Sequence, residues 1–402
     1  MQGNPHSQPE MEFSIDDRRW MKQAIMIAKG GLGSVEPNPM VGCVLVKDGK
    51  QIAYGYHAKF GGPHAERNAI HSAIQQGSRH TPCAVSCHEE YSAADELRGC
   101  TAYVTLEPCC HHGKTPPCTD ALLEVGVRRV VVAMTDPFPA VSGKGIELLR
   151  SAGVQVDVGL EREAAESLNA AYLKRLRTQR PWVIAKWAMS LDGRIATSTG
   201  HSQWISGESS RKKVHELRSR IDAILVGRGT AVADDPMLTA RLPDSAPLRT
   251  ALRVVVDSRA SISIESKLVQ TASEFPTLIW ASNDAEESAV RNLRSRGCRV
   301  ELSEYPDRAS RLDDLLQFLV REYSATNVLV EGGGQLLGSM FDLRQIDECE
   351  VFIAPKLIGG SSAVSPISGL GIATIPDGPT CYDVAWSPCG DDMHFSCRLK
   401  WD

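Results

Sequence analysis

The apolar positions of this chain change period many times, and each change marks an element. Ile15, Met21, Ile25 and Ala28 fall near one face of a helical repeat. A helix is therefore expected from Ser14, with Ser14 as N-cap and Asp17 in the first turn, ending at Gly30-Gly31. Residues 41–46 and 51–56 read as two strands joined by Lys47-Asp48-Gly49-Lys50. A helix at 65–74, a strand at 102–106, a helix at 118–125 and a β-branched strand at 129–134 follow. Residues 144–151 and 155–158 supply one more helix and strand. Helices alternating with short apolar strands indicate a layered α/β domain.

Residues 161–180 are expected to form one connecting helix, mixed in charge and free of Gly and Pro. From Pro181 a new series of strands begins, at 182–188, 223–226, 253–256, 277–280, 327–330 and 350–353. Helical patterns at 209–219 and 311–323 separate some of them. The expected organisation is a first domain over 12–160, a connector over 161–180 and a second α/β domain over 181–402. The stretch 281–308 and the tail after Ser361 carry no usable motif.

Composition narrows the function classes. The 402 residues carry a net charge of −5, which argues against a broad phosphate-binding surface. No apolar run approaches the roughly 20 residues of a membrane span. Residues 1–11 are polar, lack the core of a signal peptide and read as a disordered leader. Six of the twelve cysteines fall between Cys83 and Cys118. Without a secretory signal, a metal site and buried free thiols in a reducing cytoplasm are expected rather than a disulfide framework.

The chemistry concentrates in that stretch. His64-Ala65-Glu66 is followed by Glu107-Pro108-Cys109 and, after eight intervening residues, by Cys118. One His, two thiolates and an unligated Glu are what a zinc-dependent base deaminase needs. Three protein ligands leave the fourth tetrahedral position to water, whose pKa the metal brings to about 7. Glu66 would then carry a proton to the departing ammonia. A closed structural zinc site would have no use for Glu66. Cys110, His111 and His112 flank Cys109 as rival ligands, and Cys83, Cys87 and His88 form a second cluster that reads as incidental. Upstream, Asn38 stands between Pro37 and Pro39, where its amide could read a nucleobase edge.

In the second half, glycines after strands at Gly227-Arg228-Gly229 and Glu331-Gly332-Gly333-Gly334 suit a phosphate-cradling turn. They do not form a Gly-x-Gly-x-x-Gly fingerprint.

Together, Pro37-Asn-Pro-Met-Val-Gly42, His64-Ala-Glu66 and Glu107-Pro-Cys-Cys-His-His-Gly-Lys-Thr-Pro-Pro-Cys118 resemble the bifunctional riboflavin biosynthesis deaminase–reductases. Ser190-Leu-Asp-Gly-Arg194, Ser202-Gln-Trp-Ile-Ser206, the run 230–241, Val256-Asp-Ser258 and Glu331-Gly-Gly-Gly334 are similar to the reductase half of the same family. The resemblance implies a cytidine-deaminase-like three-layer α/β/α domain followed by a dihydrofolate-reductase-like α/β domain. It implies hydrolytic deamination of 2,5-diamino-6-ribosylamino-4(3H)-pyrimidinone 5′-phosphate, then NADPH-dependent reduction to 5-amino-6-ribitylamino-uracil 5′-phosphate. One Zn²⁺ would be held by His64, Cys109 and Cys118, with Glu66 as proton shuttle.

Cofactor contacts carried over by motif are Ala188, Trp204, Thr230, Asp234 and Ser258, with Gly333, Gly334, Gln335, Leu336, Leu337, Gly338 and Ser339 as a backbone cradle. Substrate contacts would be Ser202, Arg218, Leu238, Arg241 and Glu331. Arg218 and Arg241 suit the substrate phosphate, and Glu331 a substrate hydroxyl or a neighbouring N–H. Lys186 and Asp234 are the acids considered for the reduction. Arg259, beside Ser258, is expected to meet the cofactor 2′-phosphate. A homodimer through the reductase domain is expected, with no nucleic-acid or membrane partner. The stretch from Gln76 to Gly99 is longer than the family usually has there and is expected at the periphery.

Overall fold

The computed structural model describes residues 12–77, 96–113, 115–243 and 245–401. They fall into two compact units, Met1–Leu176 and Arg177–Asp402. The second cysteine cluster and most of the 76–99 stretch lie outside the described residues.

The first unit is built on β1 (Gly42–Lys47), β2 (Lys50–Tyr56), β3 (Thr101–Val104), β4 (Arg129–Val132) and β5 (Gln155–Val158). Their order is β2-β1-β3-β4-β5. The β1–β2 hairpin is antiparallel and turns through Asp48 and Gly49, both at positive φ, as a two-residue hairpin turn requires. β3, β4 and β5 run parallel. The helices are α1 (Ile15–Ala28), α2 (Ala65–Gly77), α3 (Cys118–Glu124), α4 (Lys144–Ser151), α5 (Arg162–Leu168) and α6 (Ala170–Thr178).

Successive strand residues point to opposite faces, and each face has its own core. Val44, Val46, Tyr103 and Val131 meet Trp20, Met21, Ala24 and Ile25 of α1 and Tyr172 and Leu173 of α6. Cys43, Leu45, Ala102, Val104, Val130 and Val132 meet α2, α3 and α4 on the other face. This is a three-layer α/β/α unit. Where one connecting helix is expected, two stand. Asn169 separates them, its side chain accepting from Met40 N at 2.8 Å and donating to Met40 O at 3.0 Å.

The second unit contains β6 (Trp182–Ser190), α7 (Glu208–Arg218), β7 (Ala223–Gly227), α8 (Arg228–Asp234), β8 (Leu252–Val256), α9 (Lys267–Gln270) and β9 (Thr277–Ser282). Then come α10 (Glu287–Ser295), β10 (Arg299–Ser303), α11 (Arg308–Tyr323), β11 (Asn327–Glu331), α12 (Gly334–Asp342), β12 (Glu348–Ala354), β13 (Thr380–Cys389) and β14 (Asp392–Lys400). The nine-stranded sheet has the order β10-β9-β8-β7-β11-β6-β12-β14-β13. It is parallel from β10 to β12, and β14 and β13 close it antiparallel.

Two details of the first unit position its chemistry. Gly55 on β2 lies under α2, and a Cβ there would come within 2.3 Å of Ala69 N. Asp17 ties α1 to the sheet: it caps with Ser14, accepts from Tyr103 Oη at 2.7 Å and pairs with Arg129 at 2.6 Å. Burial opposes its ionisation. Hydrogen bonds from Arg129, Tyr103 and Ser14 outweigh that and hold its carboxyl down to about 2.

Gly55→Ala should destabilise by about 1–3 kcal/mol through overpacking, and thermal melts against wild type will measure it; an unchanged melt would mean that α2 can yield. The folded-state pKa of Asp17 is depressed, so its stabilisation is complete above about pH 4 and is lost as pH falls toward 2. Between pH 5 and pH 2 the melting temperature of Asp17→Asn should therefore fall less steeply than that of wild type, and identical slopes in both proteins would contradict this.

Candidate active sites

In the first unit the ligand side chains sit where elements begin. His64 immediately precedes α2, Glu66 lies in the first turn of that helix, and Cys118 opens α3. Cys109 lies in the loop after β3. One donor atom from each of His64, Cys109 and Cys118 lies within 4.8 Å of the other two. His64 Nδ1 is 3.5 Å from Cys109 Sγ and 3.3 Å from Cys118 Sγ. Among the described residues no other group of three such side chains converges this way. Cys110 is half-buried, while His111 and His112 are exposed and outside the group.

The donors already share protons. The hydrogen-bonded Cys118 thiol, helped by His64, holds the Cys109 thiol down to about 4. The same bond to Cys109 pushes Cys118 well up. A borderline-soft dication can replace shared protons among one imidazole and two sulfurs, and that donor set fits Zn²⁺ with one position left open. Glu66 is 3% exposed. Burial, with the nearby Cys109 charge, raises its pKa.

Several supporting residues were not legible as functional in the sequence. Glu107 is buried, and its carboxylate accepts from Asp136 N at 3.2 Å, Gly143 N at 2.9 Å and Gly145 N at 3.0 Å. It thereby fixes the loop of Cys109. Arg67 donates to Pro116 O at 3.2 Å and Pro117 O at 3.1 Å, joining α2 to the turn before Cys118. Asn68 donates to Tyr56 O at 2.8 Å and holds the His64 turn.

His57 is buried, its ring 5.2 Å from that of His64. Its Nδ1 lies 3.0 Å from Pro63 O, and its Nε2 lies 3.3 Å from Asn38 Nδ2. A carbonyl only accepts, so Nδ1 carries the proton and Nε2 accepts from Asn38. Burial lowers the His57 pKa and keeps the ring neutral. The Asn38 nitrogen is thus committed to His57.

In the second unit a cavity of about 1260 Å³ opens at the carboxyl ends of β6, β7, β8 and β11. This is where open α/β sheets bind ligands. Ala188, Ser202, Trp204, Arg218, Thr230, Asp234, Leu238, Arg241, Ser258, Glu331, Gly333, Gly334, Gln335 and Leu336 all line it. Leu337, Gly338 and Ser339 do not, because the expected cradle is only a short turn and these residues belong to α12. Gly333 has φ 76°, and a Cβ there would sit 2.4 Å from Thr230 Oγ1. That close approach explains the glycine and joins the two expected phosphate turns.

Within the chain Glu331 meets the neighbouring N–H groups of two cations. Lys186 Nζ lies 3.1 Å away, and Arg218 binds through Nε at 2.5 Å and Nη2 at 2.8 Å. Burial opposes ionisation, but the Arg218 and Lys186 charges hold the carboxyl far below its ordinary range. The Arg218 fork is therefore occupied by Glu331. Arg241 is exposed and, among the described residues, meets His215, Nη2 to Nε2 at 3.5 Å. Burial and the charges of Arg218 and Arg241 lower the His215 pKa. Fully buried Arg253 donates to Met237 O at 3.2 Å and steadies the loop of Leu238.

Asp234 accepts from Ser202 Oγ at 3.0 Å, and Arg211 stacks on Trp204 at 4.8 Å. Arg259 is exposed and absent from the cavity wall. Its chain is turned by Asp257, which accepts from Arg259 N at 3.3 Å and Ile262 N at 2.7 Å.

Known proteins match both units. Residues 14–134 match the cytidine and deoxycytidylate deaminase zinc-binding region, and residues 181–395 match the RibD C-terminal domain. The riboflavin biosynthesis protein RibD of Actinobacillus pleuropneumoniae is 42% identical over 90% of each chain. That of Escherichia coli is 37% identical over 90% of this chain and 92% of its own. A solved structure from Thermotoga maritima, titled a diaminohydroxyphosphoribosylaminopyrimidine deaminase/5-amino-6-(5-phosphoribosylamino)uracil reductase, has a TM-score of 0.78 and 35% identity. It covers 96% of this chain and 99% of its own. A zinc-type deaminase site and a reductase cavity thus stand in one chain that belongs to the RibD family of bifunctional riboflavin biosynthesis deaminase–reductases.

Proposed function

We propose that the first unit releases ammonia from the exocyclic amine of 2,5-diamino-6-ribosylamino-4(3H)-pyrimidinone 5′-phosphate. The second unit then reduces the ribosyl group with NADPH to give 5-amino-6-ribitylamino-uracil 5′-phosphate. The observation that carries the first step is the convergence of His64, Cys109 and Cys118 beside buried Glu66. Zn²⁺, when bound, supplies a water acidic enough to give hydroxide near neutral pH. Glu66 takes the proton of the attacking water and delivers it to the departing amine. Asn38, turned by His57, offers its amide oxygen to a ring N–H of the base.

NADPH supplies hydride when bound. The 332–334 turn, Thr230, Ala188, Trp204, Asp234 and Ser258 bind and orient it, and Arg241 holds the substrate phosphate. Lys186 and Arg218 keep Glu331 ionised, so that its carboxylate can accept from a ribose hydroxyl. We further infer a cytoplasmic homodimer through the reductase unit. The exposure of Val384 and Trp386 on edge strand β13, with Leu370 and Ile375 nearby in sequence, supports the dimer. The free thiols support a reducing compartment, and among the described residues no helix is long and apolar enough to cross a membrane.

Supplying the diaminopyrimidine phosphate and following ammonia, then adding NADPH and following its oxidation, tests both steps on one sample. Release of ammonia followed by oxidation is expected; oxidation without prior ammonia release would contradict the order. Glu66→Gln should keep about one zinc per chain and lose ammonia release by at least about a hundredfold. Metal analysis beside turnover checks this, and wild-type turnover would remove Glu66 from the mechanism. Arg241→Ala should raise the KM for the phosphorylated reductase substrate by about 10- to 100-fold, the scale of a lost charge-assisted hydrogen bond. An unchanged KM would place the phosphate elsewhere.

A further inference from the structure

The cavity of the second unit carries more positive charge than the expected contacts use. Arg308 and Arg311 line it from the first turn of α11, together with Trp280 and Ser258. Among the described residues neither arginine meets a carboxylate. Arg308 Nη2 donates to Gln335 O at 3.1 Å, and Arg311 Nη1 donates to Tyr305 O at 3.0 Å. The acidic groups of the same segment are engaged elsewhere. Asp307 caps the helix through Ser310 N at 2.8 Å, Asp313 binds Arg180 at 2.7 Å, and Asp314 accepts from Ser303 Oγ at 2.8 Å. Burial and the neighbouring Arg311 charge lower the Arg308 pKa, as expected of a cation without a counter-anion.

Position selects the anion. Trp280 is the register partner of Val256 at the end of β8, two residues before Ser258. Its indole Nε1 donates to Arg311 O at 2.9 Å. Arg308 touches Gln335 in the turn at the head of α12. The pair therefore bridges the two walls expected to hold the dinucleotide, on the β8–β9 side of the cavity. The groups expected to hold the substrate, Arg218, Glu331 and Arg241, belong to α7, β11 and the loop after α8.

We propose that Arg308 and Arg311 form the subsite for the 2′-phosphate of the NADPH adenosine, in place of Arg259, and so set the preference for NADPH over NADH. The inference rests on the reading of the second unit as an NADPH site. A phosphate monoester dianion between two guanidinium groups gains paired charge-assisted hydrogen bonds, and NADH has nothing to offer them.

The test is calorimetric binding of NADPH, NADH and ribose 5-phosphate to the full chain and to R308A, R311A, the double variant and R259A. Thermal melts and circular dichroism of each variant report on folding. NADPH affinity should fall about 10- to 100-fold in each single variant and further in the double. NADH and ribose 5-phosphate affinities should hold, and R259A should match wild type. Unchanged NADPH affinity in the double variant overturns the inference. So does an equal loss for NADPH and NADH, which would put the arginines on the diphosphate. A loss of ribose 5-phosphate alone would make this the substrate's phosphate site and also overturns it. If the wild-type chain bound no NADPH at all, the cofactor reading itself would fail, and the inference with it.

Discussion

The deaminase unit depends on three donor atoms being brought together from two loops and a helix start. A thiol pair with an imidazole is a poor arrangement for a hydrophobic core and a good one for a cation. The fold invests heavily in it. Gly55 lets α2 lie close on β2, which sets His64 and Glu66. Glu107 spends a buried carboxylate on backbone N–H groups of the 136–145 segment, which fixes the approach to Cys109. Arg67 links α2 to the turn before Cys118. Each of these contacts acts on the ligands indirectly, and together they make the donor geometry a property of the sheet and its helices rather than of a loose loop.

The reductase unit obeys a different constraint. Its cavity floor holds a buried carboxylate, Glu331, that survives as an ion only because Lys186 and Arg218 flank it. Removing one partner of such a buried group leaves the rest uncompensated. The triad therefore serves as a rigid polar floor, while the walls above it carry cations with weaker commitments. Arg241, Arg308 and Arg311 all line the cavity. A ligand phosphorylated at separate points suits that distribution of charge.

The sequence made some of this legible and hid the rest for physical reasons. His64, Glu66, Cys109 and Cys118 were readable because ligand identity and local spacing encode a metal site. Most strands of both sheets were readable because they are short apolar runs bounded by turn residues. The β13–β14 hairpin was not: β13 is exposed along most of its length, carries Pro388 and is interrupted near Asp383, so its pattern is weak. The 333–339 segment was expected as a cradle from the resemblance alone, and most of it is helix α12, although Gly334 and Gly338 disfavour a helix. Packing of Leu336, Leu337 and Met340 overrides that preference. The roles of Glu107 and His57 were invisible because their partners are backbone groups or side chains distant in sequence. Arg259 drew attention only by adjacency, and it is exposed and does not line the cavity.

The central claim is an open cation site with one imidazole and two sulfurs as its protein ligands. X-ray absorption at the zinc edge, on the purified full chain, tests it most directly. The account predicts one zinc per chain with two sulfur neighbours at about 2.3 Å and a nitrogen and an oxygen at about 2.0–2.1 Å. A first shell of four protein ligands with no oxygen from water, or a chain that retains no zinc, would contradict it.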